Sequence, residues 1–133
     1  MAGTTPPSER EDAASGCLAV CLIVGLVPLG GMLLLFSFAA TVEIDSPDAF
    51  GGWRDNLSSF ALFPLVLSIA SLLGALAVTL RASRRVRLFV GVVCGLLLVA
   101  ACWRAYTLAP MLKCWSHNSI AREPDGSYDC ADR

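Results

Sequence analysis

Four arginines fall within seven residues, Arg81, Arg84, Arg85 and Arg87, and they separate two long apolar runs, Leu57 to Leu80 and Leu88 to Leu108. A helix needs about 20 apolar residues to cross about 30 Å of hydrocarbon, and both runs are long enough. An earlier run, Cys17 to Val42, carries no charge at all. The pattern predicts three transmembrane helices, with the arginines in the short connection between the second and the third.

Composition supports a bilayer as the solvent of this chain. Its 133 residues are 56% hydrophobic and 16% charged, and the mean hydropathy is +0.65. That is too apolar for an ordinary soluble domain and too short for several domains. The net charge of -1 conceals a segregation of sign. The connection at 81–87 is basic, whereas residues 43–55 hold four acids, Glu43, Asp45, Asp48 and Asp55, against the single Arg54.

Cytoplasmic loops are enriched in Lys and Arg, and acids contribute little to orientation. The arginine connection is therefore expected inside, and the rest follows by alternation. The expected plan is a cytoplasmic tail without regular structure (1–16), helix one (17–42), an extracytoplasmic loop (43–56), helix two (57–80), the cytoplasmic arginine loop (81–87), helix three (88–108) and an extracytoplasmic tail (109–133). Trp53, Trp103, Tyr106 and Trp115 all fall near the outer boundary of this plan, as an interfacial aromatic belt would. The Ala, Gly, Val, Leu and Arg bias points to a GC-rich genome and a bacterial plasma membrane. Cleavage of the first run as a signal peptide is disfavoured, because such cores are about 7 to 15 residues long.

The fold class read from the sequence is thus an all-α membrane protein, with a short C-terminal disulfide loop outside. That loop is drawn by Cys114 and Cys130, which lie on the side where disulfides persist. Between them stands the turn signal Glu123-Pro124-Asp125-Gly126. A segment with no core of its own needs such a staple, worth about 3 kcal/mol for a loop of this size.

Small residues suggest where the helices meet. Gly91 and Gly95 in the third run, and Ala70 and Gly74 in the second, have the four-residue spacing that lets backbones approach in a membrane. They predict a tight hairpin of helices two and three, or contact with a second copy through Gly91 and Gly95. Pro28 and Pro64 are expected to bend helices one and two.

Arg104 is the single charge within a predicted span, and such a charge is a functional candidate by default. It lies about 24 Å from the inner boundary at 1.5 Å per residue, close enough to the far side to snorkel to the headgroups. The alternative is pairing with Glu43 or Asp45, which would pin two helices together. Cys17, Cys21, Cys94 and Cys102 lack a C-x-x-C spacing and read as small apolar packing residues.

Asp, Glu, His and Lys are missing from all three runs. Proton relays and ion-coupled sites are built from these residues. Nucleotide-binding loops, nucleophile elbows and metal-ligand clusters are also missing, so neither a cofactor nor nucleic acid is expected. The sequence favours a non-catalytic membrane protein, an accessory, assembly or regulatory subunit with a protein partner or self-association. The alternative is an oligomeric pore-forming (holin-like) protein, for which only Ser68, Ser71 and Thr79 offer a polar stripe. A membrane redox enzyme ranks third.

Overall fold

The computed structural model describes residues 7–42, 53–80, 82–123 and 125–132, with backbone alone for residues 7–15 and 54. Three long helices dominate: α1 (Pro7–Ala39), α2 (Ser58–Thr79) and α3 (Arg84–Leu108). Each contains a stretch long and apolar enough to cross a membrane, Gly16–Ala39, Ser58–Thr79 and Arg84–Leu108. In lipid a backbone has no water to bond, so a predominantly apolar run this long closes its hydrogen bonds within itself as a helix.

Helix α1 begins at Pro7, ten residues ahead of the apolar run, so residues 7–16 are helical where the sequence suggests an irregular tail. Proline suits a first helical position because its missing N–H has no intrahelical partner there.

Helix α2 runs antiparallel to both neighbours and packs on each of them. Its seam with α1 is the tighter one. Ser68 Oγ donates to the Gly30 carbonyl at 2.7 Å, Ser71 Oγ to Leu26 at 3.0 Å, and Ser37 Oγ, from α1, to Ala61 at 2.8 Å. A Cβ on Gly30 would come within 2.9 Å of the Leu72 side chain. The hairpin expected of helices two and three is therefore present, but the close approach lies elsewhere. A Cβ on Gly91 or Gly95 would meet nothing within 4 Å, and one on Gly74 would meet Leu26 of α1 at 3.6 Å. Ala70 is exposed.

An all-α description does not cover the far end of the bundle. There a three-stranded antiparallel sheet forms in the order β1 (Arg54–Asp55), β2 (Ser119–Arg122), β3 (Tyr128–Ala131). Strand β1 comes from the α1–α2 connection and β2–β3 from the C-terminal tail, with Asp55 opposite Ser119 and Ile120 opposite Cys130. The turn between β2 and β3 falls at the expected place. Gly126 N–H donates to the Glu123 carbonyl at 2.9 Å, and Gly126 has φ +86°, a conformation that favours glycine. Asp125 accepts from the Ser127 amide and hydroxyl at 2.9 and 2.7 Å, which lowers its carboxyl pKa.

Two apolar clusters follow. Leu34, Ala61, Leu65, Ala101, Leu108, Met111, Cys114 and Ile120 join the helix ends to the sheet. Ile23, Leu72, Ala75, Val90 and Cys94 lie nearer the arginine end. Of the four cysteines expected to pack, Cys94 is buried, whereas Cys17, Cys21 and Cys102 are exposed.

The α1–α2 seam gives a direct test. Gly30→Leu should lower resistance to unfolding in an SDS titration by about 1–3 kcal/mol, the usual range for overpacking. Gly95→Leu should leave it within about 0.5 kcal/mol, as for a surface substitution. The opposite ranking would place the close contact on α3.

Candidate functional site

The sheet end gathers most of the polar chemistry of the described residues, and Arg104 is its centre. It lies in the last turns of α3, on the face turned toward α1, and is only 1% exposed. It does not reach out to the headgroups as a snorkelling arginine would. One amino group, Nη2, donates to the Ser37 carbonyl at 2.8 Å and to Thr41 Oγ1, while Nε lies 3.4 Å from Ser37 Oγ. The other, Nη1, reaches Thr107 Oγ1 at 3.4 Å. The guanidinium carbon stands 4.8 Å from the centre of the Phe38 ring, within cation–π range.

The contact has a specific physical role. The last carbonyls of a helix lack intrahelical donors, and a positive charge there complements the helix dipole. Helix α1 ends at Ala39; Ala40 N–H still bonds to Phe36 in the helical pattern, but Thr41 N–H turns to the nearer Phe38 carbonyl instead of Ser37. The Ser37 carbonyl takes its bond from Arg104 instead. A side chain of α3 thus caps α1. Pairing across these two helices was one of the two sequence readings, but Glu43 and Asp45, its proposed partners, lie outside the described residues.

The second centre is Asn56, which sequence reasoning did not single out. Its Nδ2 donates to the Cys114 carbonyl at 2.6 Å and the His117 carbonyl at 3.0 Å, and its backbone N–H to Asn118 at 2.9 Å. Its Oδ1 accepts from Ser58 Oγ at 2.6 Å and the Ser58 amide at 3.2 Å, at the start of α2. One side chain therefore ties the α1–α2 connection to the tail. The available signal was an Asn two residues ahead of a helix with Ser at its first position, a common local pattern that carries no hint of a long-range partner.

The Cys114–Cys130 disulfide is formed, with Cα atoms 5.4 Å apart. It joins β3 to a short 3-10 turn, Met111–Cys114, directly after α3. Met111, Cys114 and Ile120 are fully buried beneath the sheet. The tail is thus a small cap seated on the bundle. The four aromatics expected to form a belt, Trp53, Trp103, Tyr106 and Trp115, are exposed around this end.

At the opposite end, Arg84, Arg85 and Arg87 open α3 and are exposed, while Arg81 lies outside the described residues. Among the described residues no group of three or more His, Cys, Asp or Glu side chains could hold a metal ion. No known protein family matches this chain, and neither the curated proteins nor the solved structures contain a significant match.

Arg104→Met should destabilise the bundle by about 1–3 kcal/mol, the range for leaving a buried acceptor unsatisfied. Arg104→Lys should recover only part of this, because one ammonium does not reproduce the guanidinium fork. In a double-mutant cycle with Thr41→Val, strict additivity would show that the contact carries no coupling.

The disulfide is tested in the unmodified protein. A membrane-impermeant maleimide should label Cys114 and Cys130 only after reduction. Labelling of Cys114 beforehand would refute the intramolecular bond.

Proposed function

We propose that this chain is a non-catalytic three-span protein of the plasma membrane, an accessory, assembly or regulatory subunit that works by contact with a protein partner or with itself. In this reading the N-terminus and the arginine connection face the cytoplasm, and the disulfide-closed cap faces outward. The composition favours a bacterial membrane.

One observation carries the reading. The hydroxyls of Ser37, Ser68, Ser71 and Thr79 and the guanidinium of Arg104 all make bonds inside the molecule, while broad apolar faces are left over. Only 17% of the most apolar stretch of α1, and the same share of α3, is buried, against 33% for α2. Leu88, Val92, Leu96 and Val99 of α3 are exposed beside Gly91 and Gly95. Such faces require lipid or another protein against them. In a membrane, small residues on an open face are what another helix packs on.

The pore reading loses its main support on the same grounds. Its polar stripe, Ser68, Ser71 and Thr79, is spent: the first two bond to α1, and Thr79 Oγ1 donates to Leu76 in its own helix at 2.7 Å.

The test has two parts. An enzyme reporter active only outside the cytoplasm should work when fused after residue 133 and fail when inserted at 81–87; the reverse result would overturn the orientation. Purification in mild detergent should retain a stoichiometric protein partner or a defined oligomer. Dye leakage from vesicles carrying the purified protein alone would instead favour the pore.

A further inference from the structure

We infer that the sheet end of the bundle holds a binding cleft for one membrane lipid with an anionic headgroup. The inference rests on the membrane-spanning reading but not on the proposed partner.

A cleft of about 810 Å³ opens between the end of α3 and the β2–β3 hairpin. Aromatic rings form much of its wall, Phe38 from α1, Trp103 and Tyr106 from α3, and Tyr128 from β3. Two guanidiniums, Arg104 and Arg122, also line it, with no carboxylate among the described lining residues. Its volume falls in the range of about 300–1,000 Å³ common for small-molecule sites.

The two arginines have different parts. Arg104 is anchored by Ser37, Thr41 and Thr107 and supplies fixed positive charge from a buried position. A low-dielectric wall strengthens that field at the cleft. Arg122 is exposed at the end of β2, its guanidinium carbon 5.9 Å from the centre of the Tyr128 ring. It contributes the fork that binds a phosphate oxygen directly.

The cleft is amphipathic along the molecule as well as in its lining. Val92, Leu96, Val99, Trp103 and Tyr106 follow one another at steps of four, three, four and three residues on α3, and all are exposed. That spacing makes a single apolar stripe along the helix. It ends in the Trp103–Tyr106 ring pair at the mouth of the cleft, the ring centres 6.3 Å apart. An acyl chain lying on the stripe brings its headgroup to Arg122. A free phosphate would use the arginines and leave the stripe and the rings idle. The lipid uses both, and it is the occupant we assign.

The experiment uses the full chain in mild detergent, supplied with phosphatidylglycerol or phosphatidylcholine and read by native mass spectrometry. One phosphatidylglycerol should be retained in preference to phosphatidylcholine. Arg122→Gln should weaken that retention by about tenfold or more, as loss of a hydrogen bond to a charged group implies. Arg87→Gln, at the opposite end, should leave it unchanged. Equal retention of both lipids, or loss with Arg87→Gln but not with Arg122→Gln, would overturn the site.

A second readout keeps the inference open to refutation if Arg122→Gln fails to fold. Phosphatidylglycerol with brominated acyl chains should quench the tryptophan fluorescence of the unaltered protein, and Trp103→Phe should remove most of that quenching. Quenching that persists in Trp103→Phe would place the chain elsewhere. Displacement of the lipid by millimolar glycerol phosphate would assign the cleft to a free anion and overturn the lipid. Release of the protein from membranes by alkaline carbonate would sink the membrane-spanning reading itself, whereas retention without headgroup discrimination would sink only the lipid site.

Discussion

A single cross-helix contact organises the end of the bundle that carries the sheet: Arg104 of α3 bonded to the last turn of α1. The last carbonyls of a helix have no intrahelical donor, and a buried one left unmet costs about 1–3 kcal/mol. Ser37 and Arg104 are both buried, so the bond comes from the neighbouring helix. The guanidinium does so with its charge at the negative end of the α1 dipole and its face against Phe38. The apparent oddity of a charge in an apolar run therefore has a structural resolution, since Arg104 and the end of α1 each meet a need of the other.

The same logic extends outward through the cap. Once α1 ends beside α3, the connection leaving α1 lies next to the tail leaving α3, and the two can pair as β1 and β2. Asn56 bonds that connection to the carbonyls of Cys114 and His117, and the disulfide holds β3 to the turn after α3. Leu108, Met111, Cys114 and Ile120 close the space beneath. A tail too small for a core of its own borrows one from the helix ends, and the disulfide limits the unfolded states available to it.

Polar groups thus work inward in this molecule and apolar groups outward. The serines of the α1–α2 seam each bond to a main-chain carbonyl across the seam, contributions of about 0.6 kcal/mol each on average in membrane helices. What remains on the surface of α1 from Gly16 and of α3 from Leu88 is mostly apolar, with open positions at Gly91 and Gly95. The two ends differ in chemistry, a row of exposed arginines at one and a ring of aromatics with a cationic cleft at the other. That polarity is the basis for proposing both a fixed orientation and a headgroup site.

Three long apolar helices, the disulfide pair and the turn at Glu123 to Gly126 could all be read from the residues alone. Each depends on a local property: the length of an apolar run, two cysteines enclosing a short polar loop, or a Pro and a Gly at set places in a turn. Tertiary structure decided the rest. Whether Arg104 turned outward or inward depended on where α1 ended, which no property of α3 contains. The tight seam fell at Gly30 rather than at Gly91 and Gly95, because a small residue permits close approach without specifying which neighbour arrives. Strand β1 and the role of Asn56 were invisible for a related reason: a two-residue strand has no periodicity, and the groups that make it a strand belong to residues more than sixty positions away.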